Sequence, residues 1–172
     1  IREMAQKFLK KGKLPPLPDL SRRTPAEVRQ ATPHDPYKTD AIVVDVDNTL
    51  AHLNGRGPYD TSLYHTDTLD ESVAAVVRCL AETYPILITS GRSREFEGVT
   101  RQWLQDHRIP FDRIIMRATG DTRNDSIVKQ ELYWEFIEPE FNVTMIFDDR
   151  ARVVEAWRAM GLKVAQVEPG LF

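Results

Sequence analysis

The sequence predicts an α/β domain built on a doubly wound, mostly parallel sheet, Rossmann-like in layout and carrying at most a small cap. Three observations predict it. From residue 40 onward, short apolar runs alternate with segments whose apolar residues recur at helical spacing. Those runs end in aspartates, hydroxyls or arginines, as expected of strands whose carboxyl ends share one rim. The gaps between them hold a loop, a helix or one helix and strand, too little for a large lid.

Taken in order, AIVVDV (41–46) reads as a buried strand, and Thr68-x-x-Glu71 is a capping box opening a helix through VAAVVRCLAETY. Strand PILITS (85–90), a helix around GVTRQWLQDH and strand DRIIMR (112–117) follow. A helix runs from about Asp125 through SIVKQELYWEFI, then come strand VTMIF, helix RARVVEAWRAM capped by Gly161, and strand LKVAQV. Trp103, Trp134 and Trp157 each fall in a helical pattern, where core packing is expected rather than base stacking, and Cys79 sits mid-helix as a core residue. Upstream, Ile1, Met4, Phe8 and Leu9 share a helical face that Gly12 ends. KLPPLPDL follows, with six of the eleven prolines before residue 39. Residues 1–39 are therefore expected to be the last helix of a preceding domain plus a stiff linker, Thr24-Pro25 starting a short helix, and residues 40–172 the folded domain. A helix packed on the same domain is the alternative reading of that first pattern.

The 172 residues suit one domain, and 41% apolar with 28% charged residues is globular. No apolar run approaches the ~20 residues of a membrane span. One cysteine builds no disulfide framework, so a reducing cytosol is the expected setting, and a start at Ile1 suggests a piece of a longer polypeptide. Residues 1–38 hold 9 Lys and Arg against 4 acids; residues 39–172 hold 14 against 22. An acidic body excludes a broad duplex-coating face and leaves room only for local contact with a few phosphates.

The chemistry collects where the strands end. Strand one ends in Asp45 and Asp47, the next in Thr89-Ser90-Gly91-Arg92; the third leads to Gly120-Asp121-Thr122-Arg123, Asp125 and Lys129; the fourth ends in Asp148-Asp149-Arg150. Two carboxylates about 4 Å apart repel by roughly 4 kcal/mol at an effective dielectric near 20. Asp45, Asp47, Asp148 and Asp149, without a Cys or His cluster, make an all-oxygen site suited to Mg²⁺, which relieves that repulsion. Ser90, Lys129, Arg92, Arg123 and Arg150 match the oxygens of a phosphoryl group, and no GxxxxGK[ST] loop is present. Asp45 is the candidate nucleophile and Asp47 the general acid and base, because an acyl phosphate divides one hard displacement into two easier ones.

DxDxT after a strand, a Ser ending the next, a downstream Lys and a terminal Asp-Asp resemble the four motifs of the haloacid dehalogenase-like phosphatases. NGRGPYD (54–60), SGR (90–92), GDTRxD (120–125), VKxE (128–131) and DDR (148–150) extend the likeness. Together they resemble the 3'-phosphatase domains of bacteriophage-type polynucleotide kinase-phosphatases, which repair RNA or DNA ends. The resemblance covers residues 41–172. It implies Asp45 as nucleophile and metal ligand, Mg²⁺ bound also by the main-chain carbonyl of Asp47 and by Asp148 and Asp149, and Ser90, Arg92 and Lys129 on the phosphate. Arg56, Arg123 and Asp125 would form the wider substrate rim. Asp125 and Lys129, four apart on one helix, also share a face by spacing alone. The family further implies 2',3'-cyclic phosphodiesterase activity, a covalently linked N-terminal kinase domain ending near residue 14, and a host cytoplasm if phage-encoded. Asn48 departs from the phage pattern, which has Gly there.

Plainer readings stand beside these. Arg92 and Arg123 could form surface salt bridges, a Gly-rich-loop arginine such as Arg56 is usually solvated, and Arg150 could start a helix and pair with an acid. His34, His52, His65 and His107 show no ligand spacing. A small-molecule phosphatase and a phospho-accepting receiver module are the rival functions; the late Asp148-Asp149 pair argues against the receiver, and the short gaps against a lidded metabolite site.

Overall fold

A computed structural model describes residues 28–57 and 60–170. The expected helix at Ile1–Leu9, the KLPPLPDL segment and the Thr24-Pro25 start lie outside these residues. In chain order the elements are β1 (Thr39–Val44), β2 (Ala51–His52), a 3₁₀ turn (Thr61–Thr66) and β3 (Thr68–Leu69). α1 (Glu71–Leu80), β4 (Ile86–Ser93), α2 (Glu97–Asp106), β5 (Arg113–Arg117) and α3 (Asp125–Leu132) follow. β6 (Phe141–Arg150), α4 (Ala151–Ala159) and β7 (Val164–Gly170) complete the domain. Five strands form one sheet in the order β5-β4-β1-β6-β7, every pair parallel. β2 and β3 form a separate antiparallel pair, a small feature beside the rim.

β1 is the centre because both its faces are apolar. Successive side chains alternate across a strand. Ala41 and Val43 join Val128 and Leu132 of α3 with Val153 and Trp157 of α4; Ile42 and Val44 join Ala74 and Val77 of α1 with Trp103 and Leu104 of α2. Helices therefore cover both faces, which is why AIVV reads as an unbroken apolar run. Trp103 and Trp157 are buried, as expected, and Trp134 is half-buried with Arg29 3.6 Å over its ring.

Several details differ from the sequence expectations. The cap of α1 is Asp70, whose carboxylate accepts the N–H groups of Ser72 and Val73, while Thr68 is drawn into β3 opposite His52. Aspartate caps as well as threonine, and the strand pair takes the threonine. Cys79 is exposed: Ala74 and Val77 face the core, and a residue two beyond Val77 is on the far side of the helix. The helix expected through Ile137 becomes a π-helical turn over Tyr133–Ile137. β4 and β6 run three residues further than their apolar runs and carry SGR and DDR within them; the register shifts between Ser90 and Ser93 and between Asp148 and Arg150. Such irregularities re-aim side chains, and both lie where the chemistry collects.

Residues 28–38 lie against the domain. Val28 is buried, the Ala31 N–H donates to the Met160 carbonyl at 2.8 Å, and Gln30 donates to the Ala159 carbonyl at 2.8 Å. Asn142, early in β6, fixes the entry to β1: its Oδ1 accepts the Asp35 N–H at 2.9 Å and its Nδ2 donates to the Asp35 carbonyl and Asp40 Oδ1, both at 2.9 Å. Among the described residues no helix is long and apolar enough to cross a membrane. Replacing Asn142 with Ala strands the Asp35 main chain, and the urea unfolding midpoint is expected to correspond to a loss of about 1–3 kcal/mol. An unchanged midpoint would show that the Asn142 contacts contribute nothing to stability.

Candidate active site

β1 does not stop at Val44 but turns tightly at its end. The Asp45 N–H donates to the Phe147 carbonyl at 3.0 Å, keeping Asp45 in the sheet, and the Val46 carbonyl accepts the N–H groups of Leu50 and Ala51 at 2.9 and 2.8 Å. Closing this turn puts Asn48 at φ 58°, the left-handed region that favours Gly and, after it, Asn. The Asn48 departure from the phage motif is thus a substitution between the two residues best suited to that conformation. Thr49 Oγ1 reaches Asp45 Oδ2 at 3.4 Å.

Three of the four expected carboxylates meet: Asp45, Asp148 and Asp149 are buried and each offers an oxygen within 4.8 Å of the others. Lys129, from α3, is buried beside them and donates to Asp45 Oδ1 at 2.7 Å and Asp148 Oδ2 at 2.8 Å. Burial alone would lower the lysine's pKa, but Asp148 and Asp45 together hold it above its ordinary value. Asp45 is pushed up to about 7, chiefly by burial, with Asp148 and Asp149 adding to the shift and Lys129 opposing it. Asp149 is pushed up to about 6, again first by burial and then by Asp148. Asp149 Oδ2 is buried without a hydrogen-bond partner among the described residues. One ammonium against three carboxylates and an orphaned carboxylate oxygen fit a hard divalent cation such as Mg²⁺.

Asp47 faces elsewhere. Its carboxylate accepts Arg92 Nε at 2.9 Å, Arg92 Nη2 at 2.7 Å and Arg56 Nη2 at 2.8 Å. Both guanidinium groups are anchored from behind by Asp67, which accepts Arg56 Nε and Nη2 at 2.6 Å and Arg92 Nη2 at 2.8 Å. The Tyr64 ring lies under both, 4.6 Å from Arg56 and 3.9 Å from Arg92, and Trp103 Nε1 donates to the Asp67 carbonyl at 2.8 Å. Burial raises the Asp47 pKa, but the two arginines more than offset it and hold the carboxyl below its usual range. Arg56 is therefore not a solvated loop residue; only 6% of it is exposed.

The outer rim is tied down in the same way. Asp125 bridges Arg117 and Arg150, and Arg117 also donates to the main-chain carbonyls of Gly91 at 2.7 Å and Arg123 at 2.6 Å. A Cβ at Gly91 would lie 2.9 Å from Asp125 Oδ1, so SGR needs its glycine for close approach. Arg123 is held by Asp121 at 2.6 Å and Glu131 at 2.5 Å, bracing the loop rather than offering a free cation. Arg150 caps α4 and pairs with an acid, as its plainer reading expected. Ser90 is buried and its Oγ accepts the Arg92 N–H at 3.1 Å.

The sequence reading missed Asp67, Tyr64 and Arg117. Arg117 carried a usable signal, since it ends a strand on the rim that gave the other candidates. Asp67 and Tyr64 carried none. A cavity of about 410 Å³ opens over this arrangement, and its lining includes Asp45, Asp47, Lys129, Asp149, Arg117 and Asp125. The arrangement supplies an anionic oxygen beside an ammonium, a cation-binding corner and a second carboxylate under separate control, which are the parts a phosphoryl transfer needs.

Comparison with known proteins agrees with this chemistry. Residues 39–172 match the family model for the polynucleotide kinase PNKP phosphatase domain. A protein of Autographa californica nuclear polyhedrosis virus described as a bifunctional polynucleotide kinase/RNA ligase is 33% identical over 124 residues, 69% of this chain and 18% of that protein. A chain in a structure of the Pnkp1/Rnl/Hen1 complex superposes with a TM-score of 0.79 at 34% identity, over 85% of this chain and 52% of that one. A chain in the Pnkp1/Rnl/Hen1 RNA repair complex gives 0.79 at 33%, over 97% and 53%. The chain thus spans less than a fifth of the viral relative and about half of each structural one. A haloacid dehalogenase-like phosphatase from Mesorhizobium loti shares the fold at a TM-score of 0.57 and 14% identity, over 78% of this chain and 74% of that one. With the family model matched across the whole sheet and every strand-end motif, the chain belongs to the polynucleotide kinase PNKP phosphatase domain family.

Proposed function

We propose that the chain is a Mg²⁺-dependent polynucleotide 3'-phosphatase that works through an aspartyl-phosphate on Asp45. It would act also on 2',3'-cyclic phosphate ends, as the phosphatase part of a larger end-healing enzyme whose kinase is a separate, covalently linked N-terminal domain. The observation that carries the reading is the placement of the Asp45 carboxylate in the cavity, one oxygen on Lys129 and the whole group against Asp148 and Asp149. The family supports the polynucleotide substrate, and the resemblance of the DxDxT and GDTRxD motifs supports the 3' end and the cyclic activity.

In the first step an Asp45 oxygen bonds to phosphorus as the P–O3' bond breaks, and Asp47 gives its proton to the departing O3'. Asp47 is ionised at rest, because Arg56 and Arg92 hold it so. A phosphate dianion entering the cavity repels that charge and raises its pKa, so the carboxyl takes up a proton as substrate binds. In the second step Asp47 removes a proton from water, the water oxygen bonds to phosphorus, and the P–O bond to Asp45 breaks to release inorganic phosphate. Lys129 neutralises negative charge beside the nucleophile throughout. Asp45, Asp148, Asp149 and the main-chain carbonyl of Asp47 would hold Mg²⁺, which supplies positive charge for the phosphoryl oxygens when bound.

Asp45→Asn is expected to reduce phosphate release from a 3'-phosphorylated oligonucleotide to background with the melting temperature retained, and Asp47→Asn to reduce it by roughly 10²–10⁴-fold. Near-normal turnover by Asp45→Asn excludes it as nucleophile. A chelator should stop turnover and added Mg²⁺ restore it; turnover indifferent to chelation contradicts the cation site. Because Asp45 and Asp149 have raised pKa values, protons compete with the cation, and titration calorimetry should find Mg²⁺ affinity falling as pH drops through about 7 to 6. The native state without metal binds more protons than the unfolded chain between the ordinary carboxyl range and about 7, so stability without metal falls as pH rises through that window. A flat profile in both measurements would show that the carboxylates are not coupled.

A further inference from the structure

Five arginines line the cavity: Arg92, Arg117, Arg123, Arg150 and Arg152. Four are held by carboxylates, Arg92 by Asp47 and Asp67, Arg117 and Arg150 by Asp125, and Arg123 by Asp121 and Glu131. Arg152, one residue into α4, is the exception. It is exposed and makes no hydrogen bond or ion pair to another described residue. In a domain with 22 acids and 14 Lys and Arg over residues 39–172, an uncompensated guanidinium at the edge of the cavity is available to an anion that the molecule itself does not supply.

The cavity's size and lining say which anion. At about 410 Å³ it is far roomier than a phosphoryl group requires, given that one water occupies roughly 30 Å³. Its lining includes the half-buried apolar side chains of Leu53 and Phe96, which a bare phosphate would not use and a nucleoside would. Phe96 follows β4 and Arg152 follows β6, the strands on either side of β1, so the two flank Asp45. The charge needed at the scissile phosphate is already provided by Lys129 and the cation corner, which leaves Arg152 for a second phosphate.

Resting on the phosphatase reading above, we propose that Arg152 binds the internucleotide phosphodiester adjoining the 3'-terminal nucleotide, and so gives the site its preference for a polynucleotide end over a free mononucleotide. Two non-bridging phosphate oxygens match the fork of a guanidinium, and a contact of this kind positions the chain without reading its bases. Nucleoside 3'-monophosphates lack that phosphodiester.

The test compares phosphate release from a single-stranded 3'-phosphorylated oligonucleotide and from a nucleoside 3'-monophosphate, with Mg²⁺, for the full chain and its Arg152→Ala and Arg152→Lys variants. Arg152→Ala is expected to lower the ratio of kcat/KM values, oligonucleotide to monophosphate, about tenfold, through KM. It should also reduce the slope of log kcat/KM against log salt for the oligonucleotide by about 0.7. Arg152→Lys should restore the salt slope and part of the ratio, since a lysine keeps the charge but not the fork. A ratio and slope unaltered by Arg152→Ala, including an equal loss on both substrates, overturns the assignment while leaving the phosphatase reading intact. Release from neither substrate by the unsubstituted chain overturns the phosphatase reading itself.

Discussion

Lys129 holds one ammonium, removed from water, between the carboxylates of Asp45 and Asp148. Taking such charges out of water costs several kcal/mol each, recovered only where the contacts are short and the remaining oxygens find partners. Here the contacts are short but the partners run out: a third carboxylate, Asp149, stands in the same corner with one oxygen unmatched. The cluster can resolve this by keeping protons or by taking a cation. The raised pKa values of Asp45 and Asp149 are the first solution written as a number, and the proposed Mg²⁺ site is the second. A nucleophilic carboxylate needs the second, because a protonated one does not attack.

The parallel sheet makes this concentration of charge possible. β1 lies between β4 and β6, so three strand ends deliver Asp45, Ser90 and Asp148-Asp149 to one place, and α3 brings Lys129 in from the side. Register shifts in β4 and β6 occur where the functional residues begin, letting the strands continue while their side chains turn into the cavity. A second layer keeps the two carboxylates of DxDxT in different states. Asp45 faces an ammonium and two acids and is driven toward its proton; Asp47, two residues on, faces two arginines backed by Asp67 and Tyr64 and is driven away from it. Both shifts are the reverse of what a nucleophile and a general acid need at rest, so the proposed roles require a cation at Asp45 and a bound phosphate beside Asp47 to exchange the two protonation states.

The architecture was legible because buried parallel strands write themselves as unbroken apolar runs, and because strand ends in such sheets share a rim. Asp45, Asp148 and Asp149 followed from those two regularities, and Lys129 from the downstream lysine of the family resemblance. What escaped depends on contacts distant in sequence. Asp67 meets Arg56 and Arg92 across separations of 11 and 25 residues, and nothing local marks it as their anchor. Arg123 lines the cavity and is paired with Asp121 and Glu131, the salt bridge that the sequence left open beside its place on the substrate rim. The capping box at Thr68 failed for a local reason: Asp70 caps as well, and the strand pair claimed the threonine. Cys79 was misplaced because it lies in a segment rich in apolar residues, while the buried stripe of that helix runs through Ala74 and Val77.

Trapping the covalent intermediate tests the central claim most directly. The unsubstituted chain, mixed with Mg²⁺ and an oligonucleotide carrying a labelled 3'-phosphate, quenched in acid within the first turnover and digested, should yield label on the peptide that contains residue 45, in the acid-stable and base-labile form of an acyl phosphate. Release of labelled inorganic phosphate with no label on that peptide at any time, or label on another residue, would contradict the assignment of Asp45 and the chemistry built on its buried pairing with Lys129.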